Sequence, residues 1–316
     1  MESAAHRPTW KILLAFAIIY FVWGSTFLAI RVGVREVPPL LLAAIRFVIA
    51  GLVLFLWSLA RGERSPTARQ WRSISLLAVL IFGVDYGLLF WAEQRVPSGI
   101  AAVVMAIIPA FMTISEIVVL KTQKLTARLA AALTIGFAGV AVLMSRTILV
   151  SHSLNLGRAS TNTPIDTLGA IALIVASLSW SIGSALTRKL SLPSSKVMSS
   201  GAQMLTGGIF LAIAAAALGE FPKFHPANVS REAWFALAYL IVAGSIIAFT
   251  AYVWLIHHES PTKVGTYAYV NPIVAVILGY FLGGESLGLR TILGALLILV
   301  SVIVITTTPK PSASPS

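Results

Sequence analysis

Ten apolar segments follow one another along the chain, and each has the length of a helix that crosses a lipid bilayer. Such a helix needs about 20 apolar residues, and the segments are 11–32, 39–60, 71–92, 97–120, 127–145, 165–187, 196–218, 231–256, 261–282 and 289–307. Only 11% of the residues are charged, against about 25% in a soluble domain. The sequence therefore predicts an all-α polytopic membrane protein with ten transmembrane helices.

The basic residues are distributed unevenly between the predicted loops. When the N-terminus is placed inside the cell, the inside loops carry more Lys and Arg than the outside loops, as the positive-inside rule requires. Both termini are therefore predicted to be cytoplasmic. The net charge of +12 comes from these scattered helix ends, so we read it as membrane topology and expect no nucleic-acid partner.

The second half of the chain repeats features of the first. Trp23 and Trp180 lie 157 positions apart, and Pro109 and Pro272 lie 163 apart. Other matching pairs are Arg31 and Arg188, Arg46 and Gln203, Gly51 and Gly208, Pro97 and Pro261, Leu125 and Leu287, and Arg128 and Arg290. Five helices per half means that the halves cross the membrane in opposite senses, as in many secondary transporters.

These inverted repeats define the predicted domains. A first five-helix repeat occupies residues 1–146, a connecting loop occupies 147–164, and the second five-helix repeat occupies 165–307. The tail at 308–316 is rich in Pro and Ser and is predicted to be disordered.

Polar residues interrupt the ninth apolar segment. Tyr267 and Asn271 are one helical turn apart, and Pro272 removes a backbone donor and frees the carbonyl near Ala268. We predict a bent helix with a polar pocket at mid-depth, although a plain kink with local hydrogen bonds fits as well. Pro109 repeats the proline without the tyrosine and the asparagine. Pro109 and Pro272 are therefore predicted hinges, and Tyr267 and Asn271 predicted solute contacts.

Arg46, Asp85 and Glu116 are charged residues inside predicted helices. Arg46 and Asp85 both lie about 10 Å from the outer side at 1.5 Å per residue. One interpretation is a structural ion pair, because buried membrane charges usually pair. The other is that Arg46 meets a substrate carboxylate while Asp85 carries a coupling proton. Glu116 lies near an inner helix end, where it can snorkel to the interface; it is the second candidate for a coupling proton.

Trp23 and Trp180 lie inside the predicted membrane region, whereas the other tryptophans fall at predicted helix ends. Each can pack as core or line a cavity whose aromatic faces attract a cation. Ser184 belongs to a face of small polar residues that serves either helix packing or substrate contact. With Thr26 and Tyr86, these residues complete the predicted substrate-binding set.

Signatures of other protein classes are missing from the sequence. The chain has no cysteine, which excludes disulfides and thiolate metal sites. It has no glycine-rich nucleotide loop, no spaced metal-ligand cluster and no nucleophile–base pair. We therefore expect no enzyme activity, no cofactor and no metal.

Several motifs resemble those of a known family. They are Trp23-Gly24-Ser25, Ile45-Arg46-Phe47, the stretch Ala92–Gly99, the stretch Tyr267–Pro272, and Leu278-Gly279 with Gly284-Glu285. Together they resemble the EamA family of the drug/metabolite transporter superfamily, and the last two resemble its YedA-like subgroup. The resemblance implies ten helices from a duplicated five-helix unit in the bacterial inner membrane. One departure is Gln123, which stands where repeat symmetry would place a counterpart of Glu285.

The resemblance also implies a function. We expect a secondary transporter that exports amino acids, related metabolites or drugs from a central cavity by alternating access, with proton coupling as a hypothesis. The competing hypothesis is a passive channel or a lipid-handling membrane protein without coupled transport. The expected partners are a small-molecule solute and the lipid bilayer, and a homodimer is left open.

Overall fold

The computed structural model describes residues 9–96, 98–122, 125–153, 166–283 and 289–306, and within these ranges the chain is helical with no strand. The helices are α1 (Thr9–Gly33), α2 (Pro39–Ala60), α3 (Ala68–Glu93), α4 (Ser98–Met105), α5 (Ile108–Leu120), α6 (Ala127–Ser153), α7 (Thr167–Thr187), α8 (Lys196–Ala217), α9 (Arg231–His258), α10 (Pro261–Val264), α11 (Tyr267–Gly283) and α12 (Leu289–Thr306). Six of them, α1, α2, α3, α7, α8 and α9, are long and apolar enough to cross a membrane.

The predicted segments and the observed helices differ at three places. The fourth segment is divided into α4 and α5, and the ninth into α10 and α11. Helix α6 continues to Ser153, past the predicted helix end at 145 and into the predicted loop 147–164. The rest of that loop from residue 154, the tail 308–316, and Gln123 and Glu285 lie outside the described residues.

Serine side chains set the starts of several helices. The hydroxyls of Ser195 and Ser230 accept hydrogen bonds from backbone N–H groups three residues further on, at 3.2 Å in both cases. Such caps satisfy donors that the first helical turn leaves without intrahelical partners. Polar loop residues therefore fix where α8 and α9 begin.

Helices α2 and α8 cross at very close range because glycines line the crossing. A Cβ atom added to Gly51 would lie 2.3 Å from the backbone nitrogen of Leu205, and one added to Gly208 would lie 2.6 Å from that of Val48. Small residues allow this approach between membrane helices. Gly51 and Gly208 are also one of the pairs that the sequence matches between its two halves.

A wider, π-helical turn interrupts α3 and α9. It covers Ala78–Tyr86 in α3 and Leu240–Ile247 in α9. Such turns are rare and often occur at functional sites, because the extra residue per turn rotates the side chains that follow. In this protein the two π segments hold Asp85 and Ser245, both buried near the centre of the bundle.

Polar contacts join the helices at one end of the bundle, which we call the Glu36 end. The Glu36 carboxylate accepts hydrogen bonds from the backbone N–H and the hydroxyl of Ser230, at 2.6 and 2.7 Å. Arg95 forms an ion pair with Asp166 at 3.0 Å. These contacts join the ends of α1 and α3 to the starts of α9 and α7.

The opposite end, which we call the Glu116 end, has its own connections. Lys189, just after α7, donates to the backbone carbonyl of Val119 in α5. Arg188 donates to the backbone carbonyl of Glu259 at 3.3 Å. The end of α5, the end of α7 and the end of α9 are therefore held together.

Candidate functional site

Four aromatic side chains from four helices meet at the centre of the bundle. The ring of Trp23 on α1 lies 5.4 Å from Trp180 on α7, 5.1 Å from Tyr252 on α9 and 4.9 Å from Tyr267 on α11. The Trp23 indole N–H donates to the carbonyl of Gly244 in the π segment of α9, at 3.0 Å. The two interior tryptophans of the repeat therefore contact each other directly.

A cavity of about 40 Å³ lies beside these rings. Since one water requires roughly 10–15 Å³ of such space, the cavity has room for a few waters but not for an organic solute. Seven of the predicted site residues border it, namely Trp23, Thr26, Asp85, Tyr86, Trp180, Tyr267 and Asn271. Three other predicted residues, Arg46, Ser184 and Glu116, are not among the residues that border it.

Polar atoms without protein partners converge on this cavity. Asp85 is 1% exposed, and its Oδ1 has no hydrogen-bond partner in the described part of the chain. The same holds for Oδ1 of Asn271 and Nε1 of Trp180. Buried polar groups nearly always have partners in folded proteins, so this arrangement suits a polar ligand. Asp85 is also the one charged residue among those bordering the cavity.

Arg46 is held away from the cavity. It is 1% exposed, and its Nε donates to the Ser245 hydroxyl at 2.8 Å. Its guanidinium lies 4.7 Å from the ring centre of Phe47, 5.2 Å from Tyr86 and 5.9 Å from Phe90. The sequence missed Ser245 as the residue that positions Arg46, because it lies 199 positions away and only the fold brings it near.

An ion pair between Arg46 and Asp85, one of the two interpretations of these residues, is not among the ion pairs of the described residues. Within the described ranges the ion pairs are Arg95–Asp166 and Lys263–Glu259. Equal depth along two helices does not place two side chains on facing sides. Arg46 instead interacts with the aromatic rings and with Ser245, which leaves Asp85 oriented to the cavity.

Glu93, at the end of α3, is a second buried carboxylate. Helix α3 continues to this residue, so the side chain is completely buried, and neither carboxylate oxygen has a hydrogen-bond partner in the described ranges. Arg31 donates to the Glu93 backbone carbonyl, and both Arg31 and Arg46 lie close enough to interact with its carboxylate. Nothing in the sequence distinguishes Glu93 from a solvated helix-end glutamate.

Ser184 is hydrogen bonded to two residues of the aromatic cluster. Its hydroxyl is hydrogen bonded to the carbonyl of Trp180 at 2.7 Å and to the hydroxyl of Tyr252. Tyr252 was not among the predicted site residues, since it lies in an apolar run with no neighbouring polar signal. The contact fixes the positions of Trp180 and Tyr252, and the predicted solute contact at Ser184 stays a prediction.

Glu116 connects the two divided helices. Its Oε2 accepts hydrogen bonds from the backbone N–H of Thr262 at 3.1 Å and from its hydroxyl at 2.6 Å. The prediction that Glu116 snorkels to the interface is wrong, because the side chain is 3% exposed. A Cβ on Gly265, where α10 ends, would lie 2.5 Å from the sulfur of Met112 in α5. The breaks in the fourth and ninth segments therefore pack together.

The predicted hinge prolines occupy different positions in the two divided helices. Pro109 lies in the first turn of α5, directly after the break, where a missing N–H has no consequence. Pro272 lies inside α11, one turn beyond its start. There it removes an intrahelical hydrogen bond. Both helices thus have a weakened backbone near the cavity, but by different local means.

Comparison with known proteins gives this geometry a context. Residues 9–145 match the EamA-like transporter family, and residues 167–307 match the same family a second time. The chain belongs to this family. It is 38% identical to the inner membrane transporter YedA of Escherichia coli K12 over 294 residues, which cover 92% of this chain and 89% of YedA.

More distant relatives of this EamA-family transporter agree with that assignment. It is 23% identical to the transporter YoaV of Bacillus subtilis, over 94% of this chain and 97% of YoaV. It is 26% identical to the protein PecM of Dickeya dadantii, over 90% of this chain and 88% of PecM. A solved crystal structure with 22% identity superposes with a TM-score of 0.70 over 94% of this chain and 97% of the other, which shows a shared fold.

Together these findings identify a multi-pass transporter of the inner membrane. Its partners are a small-molecule solute and membrane lipid. The predicted site residues occupy three different places in the structure. Asp85 and the aromatic residues face the cavity, Arg46 is enclosed by rings, and Glu116 links the divided helices.

Proposed function

We propose that this protein is a secondary transporter that exports small amine-bearing organic solutes across the cytoplasmic membrane by alternating access. The observation that carries the proposal is the central cavity, where a single buried carboxylate, Asp85, faces aromatic rings contributed by both halves of the chain. Amino acids, related metabolites and drugs with an amino group belong to this solute class.

The proposed architecture is ten membrane spans in two inverted five-helix repeats, at residues 1–146 and 165–307, joined by the connection 147–164. Two matches to one family support the duplication. The paired π segments of α3 and α9, and the paired breaks before α5 and α11, support it further. The predicted topology, with both termini cytoplasmic, places the Glu36 end outside. A homodimer is a further proposal for its assembly.

The chemistry of the cavity wall favours a cation. A carboxylate in a site with little water binds an ammonium group strongly, and the faces of tryptophan and tyrosine attract the same charge. Trp23, Trp180 and Tyr267 supply those faces, and Asn271 supplies a carbonyl oxygen without a protein partner. Thr26 and Tyr86 complete the wall. Arg46 is not among the residues that border the cavity, and its Nε is bonded to Ser245, so we assign the substrate contact to Asp85 and not to Arg46.

Alternating access requires the cavity to enlarge toward one end at a time. At about 40 Å³ it is too small for an organic solute, so an occluded state is the one we propose for this conformation. The contact between Glu116 and Thr262 closes one end, and the contact between Glu36 and Ser230 closes the other. Bending near Pro109 and Pro272 would separate the divided helices, which is the motion we propose for opening.

Export against a gradient needs an energy source, and we propose the proton gradient. Asp85 is the candidate for the coupling proton because it faces the cavity and its Oδ1 has no protein partner. A protonated Asp85 would lose its charge and release the amine. Glu116 is the second candidate for the coupling proton. Protonation of Glu116 would weaken its contact with Thr262 and so would favour opening of the Glu116 end.

Transport by purified protein in proteoliposomes tests the proposal. We expect saturable uptake of a labelled amine, acceleration by unlabelled amine on the opposite side, and dependence on an imposed pH difference. A passive channel would give flux without counterflow and without pH dependence. A lipid-handling protein would move labelled phospholipid between leaflets and no amine. Either result would replace the transporter proposal.

A further inference from the structure

A groove of about 350 Å³ lies on the side of the bundle, between α1, α8 and α9 and away from the central cavity. Its walls are apolar except near one end, where Lys11 and Lys196 border it. Two tryptophans, Trp10 and Trp254, flank the same end. Nothing in the transport proposal uses this groove.

The charge and the apolar surface are separated along the groove. Lys11 is in the first turn of α1, and Lys196 is the first residue of α8. The wall on α1 continues to Ile18, which lies about 10 Å deeper at 1.5 Å per residue. Among the described residues that border the groove, none is acidic. The groove thus has a cationic mouth and an apolar floor.

We propose that this groove binds one anionic phospholipid, with the phosphate between Lys11 and Lys196 and part of an acyl chain along α1 and α9. Basic pockets between membrane helices hold anionic headgroups in this way. Trp10 is 61% exposed and, with Trp254, has the amphipathic character of residues at the headgroup level. Thr250, whose buried hydroxyl has no partner in the described chain, borders the groove one turn away from Trp254.

A second copy of the chain fits the groove less well. In a two-fold symmetric dimer the same patch meets itself, so Lys11 and Lys196 would face the identical lysines of the other copy. Like charges brought together at an interface oppose association. An anionic lipid supplies the opposite charge and an apolar chain in one molecule, which matches both parts of the groove.

Native mass spectrometry of the full-length protein in detergent, titrated with phosphatidylglycerol or phosphatidylcholine, tests the proposal. We expect phosphatidylglycerol to bind more tightly, and the double variant Lys11→Gln/Lys196→Gln to lose about 20- to 30-fold in affinity for it. Ala251→Phe, which fills the apolar floor without changing charge, should also weaken phosphatidylglycerol binding. Lys121→Gln removes an exposed positive charge elsewhere and should leave binding unchanged.

Three outcomes would overturn the proposal. Equal binding of the two lipids would mean that the groove does not select charge. Full binding by Ala251→Phe would mean that the lysines attract lipid to the surface and that the groove does not hold it. If the phenylalanine variant does not fold, Ala251→Leu provides the same test with a smaller side chain. A dimer that carries no lipid and dissociates in Ala251→Phe would assign the groove to a second copy.

Discussion

Replacing Asp85 with asparagine removes the one charge on the cavity wall and keeps the size of the side chain. Asp85 is 1% exposed, and its Oδ1 has no partner among the described residues. In the proposed mechanism this oxygen binds the solute ammonium group. We therefore expect Asp85→Asn to weaken transport of amines and to flatten its dependence on pH, with little change for solutes that carry no charge.

The size of the effect follows from the burial of Asp85. Exposed ion pairs contribute only about 0–1 kcal/mol because water screens them. Removing one partner of a buried, hydrogen-bonded charge pair costs about 2–5 kcal/mol. At 1.4 kcal/mol per factor of ten, that corresponds to a loss of about 30- to 4,000-fold in amine affinity. A loss near the lower limit would indicate that water enters the cavity when it opens.

The assay compares an amine with its neutral N-acetylated analogue in proteoliposomes of the wild type and of Asp85→Asn. The informative quantity is the ratio of the two affinities, because a general loss of folding or of gating affects both solutes. Size-exclusion chromatography checks that the variant is folded. If Asp85→Asn transports the neutral analogue and still prefers the amine as strongly as the wild type, Asp85 does not bind the ammonium group.

Three further predictions concern stability and gating. Gly208→Ala should destabilise the protein by about 1–3 kcal/mol, because its Cβ would lie 2.6 Å from the backbone of α2; thermal unfolding in detergent measures this. Thr262→Val removes one hydrogen bond to Glu116 and should favour opening of that end roughly fivefold, measured by labelling of an introduced cysteine. Hydrogen bonds from the Ser230 backbone N–H and hydroxyl lower the pKa of Glu36. The contact between Glu36 and Ser230 should therefore persist in mild acid and be lost only as the pH falls through that lowered pKa. Protection of the Ser230 amide from hydrogen exchange measures this loss.

Matched variants separate these effects from general damage. Gly99→Ala should be neutral or stabilising, because a Cβ there meets open space. Ser115→Cys in the otherwise cysteine-free chain is the labelling position for the Thr262 experiment. Glu36→Gln should make the protection of the Ser230 amide, that is its exchange rate relative to the intrinsic rate at the same pH, independent of pH across the acid range. An unchanged acid transition in Glu36→Gln would assign the pH response to another group.

Helices were predictable from the sequence because lipid leaves the backbone no other way to satisfy its hydrogen bonds. Apolar length therefore gave the positions of the helices, and polar residues in apolar runs indicated the cavity. Trp23 and Trp180 were identified as interior residues from their distance to the helix ends, and the structure brings them into contact.

Rotation about the helix axes was not predictable. Arg46 and Asp85 lie at similar depth, which suggested a pair, but depth carries no information about which side of a helix a residue faces. The π segments add to the uncertainty, because each shifts the side chains that follow it by a fraction of a turn. The partner of Arg46 is Ser245, a small residue inside such a segment, and no periodicity of the sequence marks it.

The two halves share a scaffold but not a site. Equivalent glycines form the crossing of α2 and α8, and equivalent tryptophans meet beside the cavity. The carboxylate is different, because the π segment of α3 contains Asp85 whereas that of α9 contains no acidic residue. In the proposed mechanism, two similar halves provide two gates that open by similar motions. A single carboxylate would hold a bound amine in one orientation. The same carboxylate would bind the proton, so that both gates act on the same charge. In the proton-coupled export that we propose, the proton and the amine would then compete for the same carboxylate, so that binding of one releases the other.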